Sequence, residues 1–168
     1  MTVNHYLSLN PTNGRVTDTV PATSSTANAI VAAGSDGKIN INFMPAGVGA
    51  DTDTITTSET VNAGNLVNVW TSSGRKVRNA DNVAVGKEAH GFVLTTATSG
   101  NPALVYFAGL NTAVTDTVVG RRWLGTAGAT VSDPSSITAS GSVIQNVGEL
   151  INTNVLQFTS GDPGVVLA

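Results

Sequence analysis

Short runs of alternating apolar and polar residues dominate the chain. From Gly86 to Gly109, Phe92, Leu94 and Thr96 point to one side of an extended strand. Val93, Thr95 and Ala97 point to the other. The same period of two returns from Ala103 to Ala108, and Ser99-Gly100-Asn101-Pro102 supplies turn chemistry between the runs. The spacing therefore predicts a central hairpin, Phe92 to Ala97 with Leu104 to Ala108. Further strands are expected at Thr54 to Thr57, Leu66 to Trp70, Arg75 to Arg78, Arg121 to Leu124 and Thr130-Val131. Val143 to Leu150 and Asn154 to Phe158 read as a second hairpin, and Val165 to Leu167 as a last strand. In the run LVNVW, Leu66, Asn68 and Trp70 share one face, and Val67 and Val69 the other. Many short strands separated by Gly, Asn and Ser indicate an all-β body, a compact barrel or sandwich, over residues 50–168.

Residues 1–49 have a different texture. They are rich in Thr, Asn, Gly and Pro, with apolar residues too irregular for a core. Tyr6, Leu7 and Leu9 form a small apolar plug. Ala27 to Ala33 has room for one or two helical turns after Ser24-Ser25-Thr26, a marginal helix in isolation. Ile39 and Ile41 alternate with Asn40 and Asn42. Such a segment is either a disordered tail or an extended arm that orders against another subunit. The apolar plug and the Ile39/Ile41 pattern favour the arm.

Composition sharpens this picture. Only 11 % of the 168 residues are charged, against about 25 % in an ordinary soluble domain. Surface of that kind can be buried against neighbours at low desolvation cost, which suggests a subunit of an assembly. The alternative is a monomer with a Thr-rich β surface. Net charge is −3 and the basic residues are scattered, so nucleic acid is not an expected partner. There is no cysteine, which excludes disulfides and thiolate metal sites. The stretch MTVNHYLSL has no basic n-region or apolar h-region, so no signal peptide is expected. The apolar runs are too short for a spanning helix, and no membrane partner is expected.

Candidate chemistry is sparse. Asp51 and Asp53 share a face if extended, a spacing compatible with calcium, but the remaining oxygen ligands are missing and a solvated acidic turn fits better. Glu88 and His90 share a face too, and read as polar residues satisfied at a strand end. No nucleophile elbow and no phosphate-binding loop occurs. No catalytic residue, cofactor or metal is therefore expected, and the chain is not expected to be an enzyme. Trp70 and Trp123 lie within strand patterns that favour core packing; exposed, either would stack on sugar rings. Arg121-Arg122 puts one arginine outward and one beside the core edge, to pair with a neighbour's carboxylate or to cover Trp123.

Residues 63–112, AGNLVNVWTSSGRKVRNADNVAVGKEAHGFVLTTATSGNPALVYFAGLNT, resemble a module of tailed-phage virion proteins. The matching elements are Ala63 to Asn68, Lys76 to Asp81, Gly86 to Val93 and Val105 to Gly109. The tail VGELINTNVLQFTSGDPGVVLA, 147–168, is similar to the closing strand of the same proteins. DGKININFMPAGVGADT, 36–52, resembles a linker shared by capsid decoration proteins and tail-fibre subunits. The resemblance implies a capsid decoration protein, of the head-fibre or cement type, seated as a homotrimer on the outer surface of the virion capsid after synthesis in the host cytoplasm. Its implied partners are the major capsid protein and copies of itself. Tyr6, Leu7 and Leu9 are expected to anchor the arm, and Ile39, Ile41, Phe43 and Met44 to pack between subunits. The alternative is a tail-fibre or receptor-binding protein that grips host surface glycan, with Trp70, Trp123 and Tyr106 as its candidate aromatics.

Overall fold

A computed structural model describes residues 6–9, 12–13, 16–19 and 50–166. The chain divides into two compact units, residues 1–49 and 50–168. In the first, β1 (Tyr6–Leu9) and β2 (Val16–Thr19) pair antiparallel, with Tyr6 opposite Thr19 and Leu9 opposite Val16. The apolar plug is thus a strand of a small hairpin. Ile39, Ile41, Phe43 and Met44 lie outside the described residues.

The second unit is all-β, a sandwich-like body of two five-stranded antiparallel sheets and one two-stranded sheet. Sheet 1 contains β3 (Thr52–Thr56), β4 (Leu66–Thr71), β5 (Arg75–Asn79), β6 (Gly91–Val93) and β7 (Pro102–Tyr106), in the order β3-β7-β6-β4-β5. Sheet 2 contains β8 (Gly109–Asn111), β9 (Gly120–Leu124), β10 (Thr130–Val131), β12 (Asn146–Asn152) and β13 (Val155–Phe158), in the order β10-β9-β12-β13-β8. The small sheet pairs β11 (Val143–Ile144) with β14 (Gly164–Val165). Among the described residues of this body the one helical element is a 3-10 turn, Pro134–Ser136, capped by the Asp133 carboxylate.

The two sheets are buried differently, and alternation explains why. Leu66 and Phe92 of sheet 1 meet Leu124, Val147, Leu150, Leu156 and Phe158 of sheet 2 in the inter-sheet core. Phe92 stacks on Tyr106 at 5.3 Å and meets Phe158 edge-on at 5.6 Å. The opposite face of sheet 1 carries Ile55, Val67, Val77, Val93 and Val105, covered by Val61 and Ala97 in a second core. The central strands of sheet 1 are therefore buried on both faces, so consecutive Leu66 and Val67 are both inaccessible. Sheet 2 has a single buried face: its strands alternate buried and exposed positions, as in Val155–Phe158.

The central hairpin is shorter than the alternation predicts. β6 and β7 pair through Phe92–Tyr106 and Val93–Val105. The chain then leaves the ladder because Ala97 bridges Val61 and the Thr96 hydroxyl accepts the Ala63 N–H at 3.0 Å. The run Val143 to Leu150 also breaks in two. Gln145 turns inward, accepts the Ala89 N–H at 2.7 Å and donates to the carbonyls of Ala89 and Gly161.

Candidate functional site

On the open face of sheet 2, polar side chains converge on a groove. Its register sets the layout. Arg121 on β9 stands opposite Glu149 on β12, Glu149 opposite Gln157 on β13, and Gln157 opposite Leu110 on β8. Trp123 stands between Val131 and Asn146. A bulge makes this possible. β12 pairs Asn146 with Trp123 and then Gly148 with Arg122, so Val147 is the extra residue. Asn146 and Glu149, three positions apart, thereby reach the same face. The Asn146 side chain holds the bulge, donating to the Arg122 carbonyl at 3.2 Å and accepting the Gly148 N–H at 3.3 Å.

Gly148 is required there. Its φ is +120°, and a Cβ would collide with the Gln157 backbone carbonyl. The outcome is an open groove of about 460 Å³ lined by Arg121, Trp123, Asn146, Gly148, Glu149, Gln157 and Thr159. Arg121, Glu149 and Gln157 are exposed and Trp123 is half-buried.

The neighbouring arginine faces inward, as the alternation of Arg121-Arg122 predicts. Arg122 is 1 % exposed. Its Nε lies 2.6 Å from Asp116 Oδ2, and its Nη2 donates to Asp116 Oδ1 at 3.2 Å and to the Val118 carbonyl. Asp116 also accepts the Thr130 hydroxyl at 2.9 Å and the Thr117 N–H at 2.9 Å. Burial pushes the Asp116 carboxyl up, but the hydrogen bonds from Arg122 and Thr130, the Arg122 charge and the Val118 backbone outweigh it. The net result is a carboxyl held below its ordinary value. The pair is within one chain and fixes the entry into β9, directly behind the groove.

The other candidates are occupied. Trp70 donates its indole N–H to the Ser58 hydroxyl at 3.2 Å, and the Arg78 guanidinium covers its face at 4.3 Å. Tyr106 packs on the core. Asp53 pairs with Arg75, away from any joint site with exposed Asp51. His90 Nδ1 accepts the Val69 N–H at 3.0 Å, and the Glu88 carboxylate accepts the Gly86 N–H at 2.9 Å, so each is satisfied by backbone. Among the described residues, no three His, Cys, Asp or Glu side chains gather as a metal site. Of the expected contact residues, Tyr6, Leu7 and Leu9 stand together on β1. The groove residues Arg121, Glu149 and Gln157 are not a set that alternation alone brings together, because cross-strand register depends on the bulge.

At one end of sheet 2 lies a second feature. Gly120 pairs with Leu150, which brings Val118 and Val119 toward Ile151. These three side chains are 63 %, 60 % and 46 % exposed.

Compared with models of known families, with curated proteins and with solved structures, the chain gives no match.

Proposed function

We propose that this chain is a structural virion protein, a decoration protein that binds the outside of a tailed-phage head as a homotrimer and stabilises it. The observation that carries the reading is the exposed apolar set Val118, Val119 and Ile151 at one end of a β-body in a chain with 11 % charged residues. Large apolar side chains exposed to water, two in the loop that enters β9 and one on β12, favour burial against another protein surface. The scarcity of charge lowers the desolvation cost of that burial. The resemblance of residues 63–112 and 147–168 to phage virion modules supplies the kind of partner: the major capsid protein and two further copies of this chain.

The N-terminal unit provides the attachment in this reading, with Tyr6, Leu7 and Leu9 as anchors and Ile39, Ile41, Phe43 and Met44 between subunits. Avidity makes such anchors effective. Once one of three is seated, the second and third bind intramolecularly, so modest contacts combine into tight attachment. The bridging of adjacent capsomers then opposes internal genome pressure.

Light scattering of the full chain, alone and with empty phage heads, tests both parts. The reading expects a trimer that co-sediments with heads, and a variant lacking residues 1–20 that stays trimeric but remains in the supernatant. A monomer at high concentration, or undiminished co-sedimentation of the variant, contradicts it.

A further inference from the structure

We propose that the groove on the open face of sheet 2 binds a neutral hexopyranose unit of a glycan, with Trp123 as its stacking platform. The protein has two tryptophans. Trp70 is half-buried like Trp123, but its N–H is given to Ser58 and Arg78 lies over its face. Trp123 has neither partner: among the described residues no side chain or carbonyl accepts its N–H and no cation covers its ring.

The arginines repeat the contrast. Arg75 pairs with Asp53 and lies over Phe107, Arg78 donates to Asn68 and Gly86, and Arg122 pairs with Asp116. Arg121 is the one arginine among the described residues whose guanidinium has no partner, although Glu149 stands opposite it in register. The side chains of Glu149 and Gln157 are likewise free of partners among the described residues. Three polar side chains without partners thus converge on one groove beside an accessible indole.

This donor and acceptor set matches vicinal hydroxyls. Each sugar hydroxyl donates once and accepts twice. Glu149 accepts, Arg121 donates from a planar fork, and Gln157 does both. The indole offers a flat apolar surface to the C–H face of a pyranose ring, with its polar N–H at the rim. The charges on the lining cancel, one cation against one anion, which favours a neutral sugar over a sulfated, uronic or phosphate-bearing polymer. The platform is rigid, since every contributor except Thr159 stands on a hydrogen-bonded strand and Gly148 locks β12 against β13. An open groove gives one sugar weak binding, on the order of millimolar. The site stands on this geometry and does not depend on the virion reading.

The test uses the full chain carrying Trp70→Phe, so that Trp123 alone fluoresces. It is titrated with D-glucose, D-galactose, D-mannose and N-acetyl-D-glucosamine, and with their soluble tetrasaccharides, to about 50 mM. At least one neutral series is expected to change the emission saturably. By calorimetry, Trp123→Ala, and separately the exposed Glu149→Gln and Gln157→Ala, should weaken that sugar about tenfold. The exposed pair keeps the test valid if Trp123→Ala does not fold. Absence of a saturable change with every neutral series overturns the proposal. So does binding that none of the three substitutions weakens, a response confined to glucuronic acid or heparin fragments, or an indole already masked by self-association of the chain.

Discussion

Replacing Asp116 by Asn removes the anion from the more deeply buried of the two ion pairs among the described residues of the body. The amide is nearly isosteric, but its one oxygen replaces only one of two accepting oxygens, so it keeps either the Thr117 N–H, held at Oδ1, or the Thr130 hydroxyl, held at Oδ2. What disappears is the anion 2.6 Å from Arg122 Nε, on a guanidinium whose side chain is 2 % exposed. Breaking a buried pair from one side costs about 3–5 kcal/mol, because the remaining charge stays desolvated. Asp116 is itself 26 % exposed, so water reaches the vacated side and the lower end applies, about 3 kcal/mol. That corresponds to a fall in Tm of about 6–12 °C. Urea unfolding followed by tryptophan fluorescence should show the midpoint move with an unchanged slope. Asp53→Asn is the control: its pair with Arg75 is about half exposed on both sides and should lose under about 1 kcal/mol. Adding Arg122→Met to Asp116→Asn should recover part of the loss, since no unpaired charge then remains buried. A loss below about 1 kcal/mol in Asp116→Asn, or no recovery in the double variant, refutes the assignment of Arg122–Asp116 as the clamp behind β9.

Two further outcomes follow from the same geometry. The Asp116 carboxyl is held below its ordinary value of 3.8, so in acid the unfolded chain takes up this proton before the folded one does; its contribution is complete above that value and lost as pH falls toward the folded value, and denaturant midpoints between about pH 6 and about pH 3 should fall less steeply in Asp116→Asn than in the unmodified protein. Gly148→Ala combines a residue at φ +120° with a Cβ driven into the Gln157 carbonyl, and should destabilise by about 3 kcal/mol in urea; a loss under about 1 kcal/mol shows that the bulge can relax.

Alternation alone located most strands, because burial on one or two faces writes period two or a continuous apolar run into the sequence. Leu66–Thr71 and Arg75–Asn79 lie within a residue of their expected bounds. The inward Arg122 beside outward Arg121 is legible for the same reason. What escaped depends on pairing. β8, Gly109–Asn111, is three residues long and carries no apolar rhythm, so only its partner β13 defines it. The groove escaped because Asn146 and Glu149 share a face through a bulge that no local pattern announces. Trp123 sits in an apolar strand pattern that favours the core; it stands instead on the solvent side because Arg122 and Leu124 take the inward positions.

The asymmetry between the sheets connects these observations. A sheet sealed on both faces contributes stability and offers its neighbours only edges and loops. Sheet 1 is of this kind at its central strands β4 and β6, and the arginines beside them are paired within the sheet, Arg75 with Asp53 and Arg78 with Asn68 and Trp70. Sheet 2 spends its inner face on the core and its arginine–aspartate clamp, and leaves its outer face free. That face carries two chemistries side by side, apolar Val118, Val119 and Ile151 at one end and the polar groove around Trp123 along β9 and β12. An apolar end suits permanent burial against a protein; unpartnered polar groups around an indole suit an exchangeable, hydrated ligand. If one surface served both, seating the apolar end against a neighbour would leave the groove directed outward, and a sugar titration of assembled particles would give the same Trp123 response as the free chain. Loss of that response on assembly would instead assign the whole face to subunit contact.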